Sequence, residues 1–342
     1  MLGLDSEFFC DAFLLWTRLC QVYPWMTPAF PKVELTAAST LGRTEEEVRN
    51  NLGMGSQTFA DKYGLRLYQT AEELLEREQP DGVFICGRPS TMPAIARMAV
   101  EHGVHVFLQK PAGRNAQELR DLGSEAKRRG VVASAGQTWR YDGAAQASLA
   151  KLKAEREDIG KLCNVRIMYQ HGKPTRKTWY YDEKEGGPEL WLGWYPIDLL
   201  RYFTQSRIVS VYATAHGGDT SPENENVVFH ASCECENGVC GNFDFYGNIK
   251  YSYPRTEWEL LTERGMVRNV QRHDVEIYAH EKPQQAVYRG AFFDGIGRDI
   301  NAWLHRWDGD TNDGIDLFEA ADNVSVANAI TESLLTRKAV KL

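Results

Sequence analysis

Lys110 stands where a lysine can do chemistry. It lies in the stretch Asp81–Pro111, DGVFICGRPSTMPAIARMAVEHGVHVFLQKP. An apolar run, Val83 to Cys86, is followed by a turn at Gly87-Arg88-Pro89-Ser90. A helical pattern through Met92, Ile95, Ala96, Met98, Ala99 and Val100 ends at Gly103, and a second apolar run, Val104 to Leu108, leads into Gln109-Lys110-Pro111. Two short continuous apolar runs around one amphipathic helix predict a βαβ unit with both strands buried in a parallel sheet. Ligands of such sheets bind beyond the carboxyl ends of the strands, which puts Gly87, Arg88, Gln109 and Lys110 at the ligand edge. An amine there can hold or move a proton; its plain alternative is a surface lysine at a strand end. Cys233, Cys235 and Cys240 invite a metal reading. Structural zinc sites use four ligands at other spacings, however, so buried thiols and no metal are expected. The eight histidines form no metal-binding cluster.

The elements that position Lys110 follow from the rest of the chain. Residues 5–22 read as a helix capped by Asp5 or Ser6, and Val33–Thr40 as a strand. Gln57–Tyr63 and Ala71–Glu78 read as short helices, Asn115–Arg129 as a longer one, and Val131–Ala135 as a strand. Strand and helix alternate, which predicts a doubly wound α/β layer over residues 1–140. The remaining chain, 141–342, changes character. A helix over Ala144–Glu155 precedes a strand, Cys163–Gln170, and a helix over Leu190–Phe203. Strand-like runs follow at Ile208–Ala215, Asn226–Cys235, Val239–Phe245, Thr256–Thr262 and Met266–Val270. Short glycine turns such as Glu236-Asn237-Gly238 predict antiparallel hairpins. Helices over Phe292–Arg306 and Leu317–Thr336 close the chain. The expected fold is therefore an N-terminal Rossmann-like parallel sheet plus a C-terminal α+β domain on a largely antiparallel open sheet.

Composition bounds the function. Of 342 residues, 43% are hydrophobic and 25% charged, as in ordinary soluble globular chains. A net charge of −8 argues against a general nucleic-acid binder. Seven cysteines form no disulfide framework, the N-terminus lacks a basic region ahead of an apolar core, and no apolar run reaches the ~20 residues of a membrane span. A cytoplasmic location without membrane partners is expected.

Four stretches carry a resemblance that runs from about residue 30 to the C-terminus. They are Gln109-Lys110-Pro111, Gly136-Gln137-Thr138-Trp139-Arg140-Tyr141, Gly186 to Asp198 (GGPELWLGWYPID), and the terminal helix with its short basic tail. In order and spacing the chain resembles the glucose–fructose oxidoreductase / inositol dehydrogenase / MocA family of NAD(P)-dependent sugar and cyclitol oxidoreductases. The resemblance implies hydride transfer between a nicotinamide dinucleotide, held in the cleft between the halves, and a secondary hydroxyl of a sugar, cyclitol or related polyol. It implies that Lys110 and Tyr195 manage the proton. Tyr195 takes the position of the family's usual acid/base histidine; a free phenol has a pKa near ~10, and a nearby ammonium would favour phenolate. Asp198, one helical turn beyond, would bind a substrate hydroxyl, with Arg140 orienting substrate or nicotinamide. Trp191 and Trp194 would line a sugar pocket, stacking on apolar C–H faces, or alternatively fill a core. Trp139, Trp179, Tyr180 and Tyr181 add to this aromatic density. Thr138 would contact cofactor.

Departures from the family pattern matter as much. The usual glycine-rich phosphate turn is represented only by Leu2-Gly3-Leu4-Asp5-Ser6, with one glycine and an acid. Either the natural chain begins further upstream or the first strand is lost. Ser39 and Thr40 stand where an acid normally binds the adenosine ribose, and Arg43 follows, a combination that favours NADP over NAD. The family acid four residues before Tyr195 is replaced by Trp191. Two competing readings remain: transient NAD-assisted oxidation that permits elimination or cleavage, and a degenerate binding subunit of the same fold. The exposed face of the second sheet is the expected homo-oligomer contact, as dimer or tetramer.

Overall fold

The computed structural model describes residues 34–172, 182–216, 227–249, 255–270, 274–279, 284–289, 295–309 and 314–342. The helix expected over 5–22, the candidate cofactor residues Gly3 and Asp5, and the aromatics Trp179, Tyr180 and Tyr181 lie outside them. Two compact units divide the chain. The first comprises residues 1–136, 176–179 and 299–321; the second comprises 137–175, 180–298 and 322–342. The boundary expected at 140/141 is thus placed at 136/137, and residues 299–321 return to the first unit. The physical reason is packing. Trp303 meets Phe107 edge-on with centroids 5.5 Å apart, and Trp307 stacks on His105 at 4.6 Å.

In the first unit, β1 (Ala37–Ser39) pairs in parallel with β2 (Arg66–Tyr68). β3 (Gly82–Ile85), β4 (His105–Leu108) and β5 (Ala133–Ala135) form a parallel array in that order. Val83–Ile85 of β3 and Val106–Leu108 of β4 are apolar and buried, as parallel strands covered on both faces must be. Helices α1 (Glu45–Leu52), α2 (Ser56–Tyr63), α3 (Ala71–Glu78), α4 (Met92–Glu101) and α5 (Ala116–Arg129) connect them. α5 shows why its sequence is helical. Leu119, Leu122, Gly123 and Ala126 make one buried stripe, the Asn115 side chain accepts from the backbone N–H groups of Gln117 and Glu118, and Gly130 ends the helix at φ +69°. α1 was not anticipated. Its EEEVRNNL buries little, but Thr44 and Glu47 form a reciprocal capping box.

The second unit holds a nine-stranded sheet and, against it, α6 (Gly143–Ala154), the single turn α7 (Arg156–Ile159) and α8 (Gly187–Thr204). Its strands are β6 (Leu162–Gly172), β7 (Ile208–Ala215), β8 (Val227–Cys235), β9 (Cys240–Ile249), β10 (Arg255–Thr262), β11 (Gly265–Val270), β12 (Asp274–Ala279), β13 (Gln285–Arg289) and β14 (Val340–Lys341). The spatial order is β13-β12-β11-β10-β6-β9-β8-β7-β14. Among the described residues every pair is antiparallel except β6 with β9. β2, β12, β13 and β14 are additions to the expected strands. β10 alternates buried and half-buried residues along its length, so one sheet face carries the core. On the opposite face Arg166 and His230 both reach Asp244, at 3.4 and 2.7 Å. Two further helices, α9 (Gly295–Trp307) and α10 (Leu317–Thr336), each begin in one unit and end in the other.

Candidate active site

In the first unit the expected ligand-edge residues do gather past the carboxyl ends of the strands. Gln109 follows β4, and its backbone N–H donates to the Ile85 carbonyl at 2.9 Å, tying the ends of β3 and β4 together. Lys110 comes next, 7% exposed, and its peptide with Pro111 is cis. Burial pushes the Lys110 amine down to about 7. Desolvation penalises the charged form, so near neutrality both the neutral and the charged amine are populated, whereas an exposed lysine stays protonated.

The same edge carries polar atoms that no described residue satisfies. Gln109 Oε1 and Arg88 Nε are buried and accept or donate no hydrogen bond among the described residues. Buried orphans of this kind are costly unless a ligand meets them. Arg88 and Arg43 also act together. Glu47 is held below the usual carboxylate range, first by the Thr44 backbone N–H and hydroxyl, then by the Arg43 and Arg88 charges. Ser39 and Thr40 are placed differently from expectation. Ser39 Oγ accepts from Leu41 N–H at 3.1 Å, and the Thr40 hydroxyl donates to the Gln69 carbonyl at 3.2 Å. The Thr40 hydroxyl ties the end of β1 to the segment ahead of α3, while Ser39 closes a local turn. Gly87 sits against Met92, whose Cγ would be 2.9 Å from an added Cβ. Two cavities, of about 740 and 580 Å³, open at the other edge of this unit, where β3 and β4 begin, and no candidate residue lines either.

The second unit contributes the 3₁₀ turn Thr138–Tyr141 and α8. The turn is pinned. Asp142 Oδ1 accepts from Gly295 N–H at 3.0 Å, and Arg298 donates to the Tyr141 carbonyl at 2.8 Å. Thr138 is fully buried within it. α8 starts from two left-handed glycines, Gly186 at φ +97° and Gly187 at φ +66°, a turn that side-chain-bearing residues rarely make. Trp139 leaves the turn and stacks on Tyr195 of α8, centroids 4.4 Å apart and planes within 8°.

Arg140 and Asp198 come together, but with each other. Arg140 Nε donates to Asp198 Oδ2 at 2.9 Å, Arg140 Nη2 donates to Oδ1, and Asn323 Nδ2 donates to Oδ1 at 3.3 Å. Asn323 in turn accepts from Arg201 at 2.7 Å, and Arg201 also donates to Asp322 at 3.0 Å. Both Asp198 oxygens are therefore used inside the protein, and Asp198 has no exposed surface. Trp194 likewise has none, so it fills the core rather than lining an open pocket, while Trp191 keeps 7% exposure.

Two residues the sequence reading passed over belong to this cluster. Tyr169 meets Trp139 edge-on at 4.8 Å, and His171 meets Trp191 edge-on at 4.9 Å. A lone histidine and a strand tyrosine carry no motif, so only the fold shows where they lie. Among the described residues no group of three ligating side chains could hold a metal, and Cys233 is buried, its thiol pushed well up by desolvation. Nor is any described helix long and apolar enough to cross a membrane.

Comparison with known proteins agrees with this architecture. Residues 46–137 match the family described as "Oxidoreductase family, NAD-binding Rossmann fold", and residues 148–268 match "GFO/IDH/MocA C-terminal domain". A putative UDP-kanosamine synthase oxidoreductase subunit of Amycolatopsis mediterranei is 31% identical over 43% of this chain and 40% of its own length. An uncharacterized oxidoreductase of Bacillus subtilis is 24% identical over 46% of this chain and 45% of its own. The matched region thus spans less than half the length of these relatives. Among solved structures, an oxidoreductase domain protein from Kribbella flavida superimposes with a TM-score of 0.82 at 18% identity, covering 99% of this chain and 97% of that one. A levoglucosan dehydrogenase in complex with NADH and levoglucosan gives 0.82 at 15% identity, covering 100% and 97%. With both halves matched in order and the Rossmann-like and antiparallel-sheet units in place, the chain belongs to the Gfo/Idh/MocA family of oxidoreductases.

Proposed function

We propose that this protein is a nicotinamide-dinucleotide-dependent dehydrogenase or reductase acting on a secondary hydroxyl or ketone of a sugar, cyclitol or related polyol. The single observation that carries the reading is Lys110: a buried amine at the ligand edge of a parallel sheet, with its pKa brought down to about 7 by desolvation. The dinucleotide supplies the hydride acceptor or donor. Gln109 Oε1 and Arg88 Nε, unsatisfied among the described residues, supply polar atoms suited to hold it, and Arg43 and Arg88, both near Glu47, are cations suited to a phosphate, the basis for favouring NADP. The neutral Lys110 amine takes the proton of the hydroxyl being oxidised, or returns it in the reductive direction. Tyr195, held flat against Trp139, is the second proton carrier. Arg140 and Asp198 act by fixing that helix and turn to each other rather than by touching substrate. Trp191 offers an aromatic surface to the ring of a sugar, and two neighbours bear on this. The levoglucosan dehydrogenase is a sugar enzyme, and GenD2 from gentamicin A biosynthesis binds NAD.

The test is turnover of a polyol panel with NAD and NADP, followed at the absorbance of the reduced nicotinamide. Lys110→Met is expected to lower turnover by about 10²–10⁴-fold while leaving dinucleotide affinity measurable. Unchanged turnover rejects the role. Product formed without stoichiometric reduced dinucleotide would favour the elimination reading instead.

A further inference from the structure

The larger cavity of the first unit, about 740 Å³, lies at the opposite end of β3 and β4 from Lys110. Three helices finish against it. α3 ends at Glu78, and its C-cap Gln79 lines the cavity; α4 ends at Glu101, and its C-cap His102 lines it too; Trp307, the last residue of α9, forms part of the wall. The carbonyls of a helix's last turn carry partial negative charge, so three such ends favour a cation. Full charges of the same sign stand beside them. Glu76 and Asp81 line the cavity, both exposed, and neither carboxylate has a hydrogen-bond or ion-pair partner among the described residues. No described lysine or arginine lines it to offset them. The deeper wall is aromatic. Trp307 stacks on His105, centroids 4.6 Å apart and planes within 24°. Gly82 makes room for that pair, since an added Cβ would stand 2.5 Å from the Trp307 ring. His105 is held as a neutral ring: its Nδ1 accepts from the Val132 N–H at 2.9 Å, and burial pushes the imidazole below its ordinary range.

Carboxylates at the rim, helix C-termini around it and a neutral π wall beneath define one kind of occupant. An anion would meet repulsion from each of these groups. A bare metal ion lacks ligands, because no three ligating side chains among the described residues come together. An ammonium on an apolar body satisfies all of them, pairing with carboxylate and resting on an aromatic face. We propose that this cavity binds a small organic cation, a protonated amine carrying an apolar ring or chain, with Glu76 and Asp81 taking the charge and the Trp307–His105 pair taking the body. The site is distinct from the candidate active site. His105 and Lys110 mark the two ends of one strand, five residues and roughly 16 Å of extended chain apart. It therefore stands or falls independently of the dehydrogenase reading.

The experiment uses the full chain. The indole N–H signal of Trp307 is assigned in the NMR spectrum by its loss in Trp307→Phe, which keeps a ring against His105. Benzylammonium is then titrated, with benzyl alcohol as the uncharged molecule of the same shape. Expected is a saturable shift of the Trp307 signal with benzylammonium in the low-millimolar range or tighter, and at least tenfold weaker binding of benzyl alcohol. The double variant Glu76→Gln, Asp81→Asn changes two exposed side chains without disturbing the core, and should weaken benzylammonium about tenfold or more. Lys110→Met, altered at the far edge of the sheet, should leave that affinity unchanged. A Trp307 signal that does not saturate with benzylammonium, equal affinity for benzyl alcohol, or an affinity unmoved in the double variant overturns the proposal.

Discussion

Lys110 links stability to chemistry through one proton. An unfolded lysine titrates near 10.5 and the folded one at about 7, so between those values the unfolded chain binds a proton that the folded chain does not. Stability therefore rises with pH across that window and is flat below it. The whole span corresponds to about 5 kcal/mol. Denaturant unfolding of the dinucleotide-free protein between pH 7 and 10 should show this rise, and Lys110→Met should remove most of it. Equal slopes in the two proteins would mean that the amine is hydrated and not depressed. The sequence made Lys110 legible because two apolar runs placed it at a strand end. What it did not reveal is the extent of burial, which depends on packing from residues far away in the chain. Asp198 shows the opposite failure. One helical turn from Tyr195, it reads as a ligand for substrate, yet Arg140 and Asn323 occupy both its oxygens. Those partners are 58 and 125 residues distant, beyond any local pattern.

Elements with a periodic stripe were readable; elements defined by their ends or their partners were not. The helix Leu317–Thr336 and the strand Ile208–Ala215 fall where hydrophobic periodicity predicts. α1 was hidden by three consecutive glutamates, although its Thr44–Glu47 capping box is a start signal visible in sequence. β12 alternates Val275 and Ile277 inward over six residues, too short to stand out unaided. Arg140→Met leaves the Asp198 carboxylate buried without its main partner, and should destabilise the second unit by about 3–5 kcal/mol in chemical denaturation. A loss under 1 kcal/mol would show that the pair is dispensable to the fold. Gly295→Ala puts a Cβ 2.2 Å from the Thr138 carbonyl oxygen and 2.6 Å from Asp142 Oδ1. Neither neighbour is a flexible tip, because the first is backbone and the second is bonded to the Gly295 N–H. The substitution should separate α9 from the 3₁₀ turn, lowering stability by about 1–3 kcal/mol and disturbing Trp139 fluorescence.

At the scale of the whole molecule, the second sheet turns one face to the core and the other outward. The outward face carries the Arg166–Asp244–His230 cluster. Charged groups of both signs on a flat sheet suit association with a second copy, where they can pair reciprocally about a two-fold axis. Sedimentation of the purified protein should give a dimer or tetramer, and Asp244→Arg, which removes the carboxylate shared by Arg166 and His230 and sets a second guanidinium beside Arg166, should shift it toward monomer. Monomer at all concentrations in the unaltered protein would remove this surface from consideration.

In the proposed reaction an uncharged Lys110 amine takes the proton when a nicotinamide dinucleotide accepts hydride from a polyol. Single-turnover formation of reduced nicotinamide, measured against pH with the unaltered protein and Lys110→Arg, tests it most directly. The expected rate climbs with pH and levels off above an inflection near 7, and both the rate and the inflection are lost in Lys110→Arg because arginine keeps its proton. A Lys110→Arg protein with the same rate and the same inflection would contradict it.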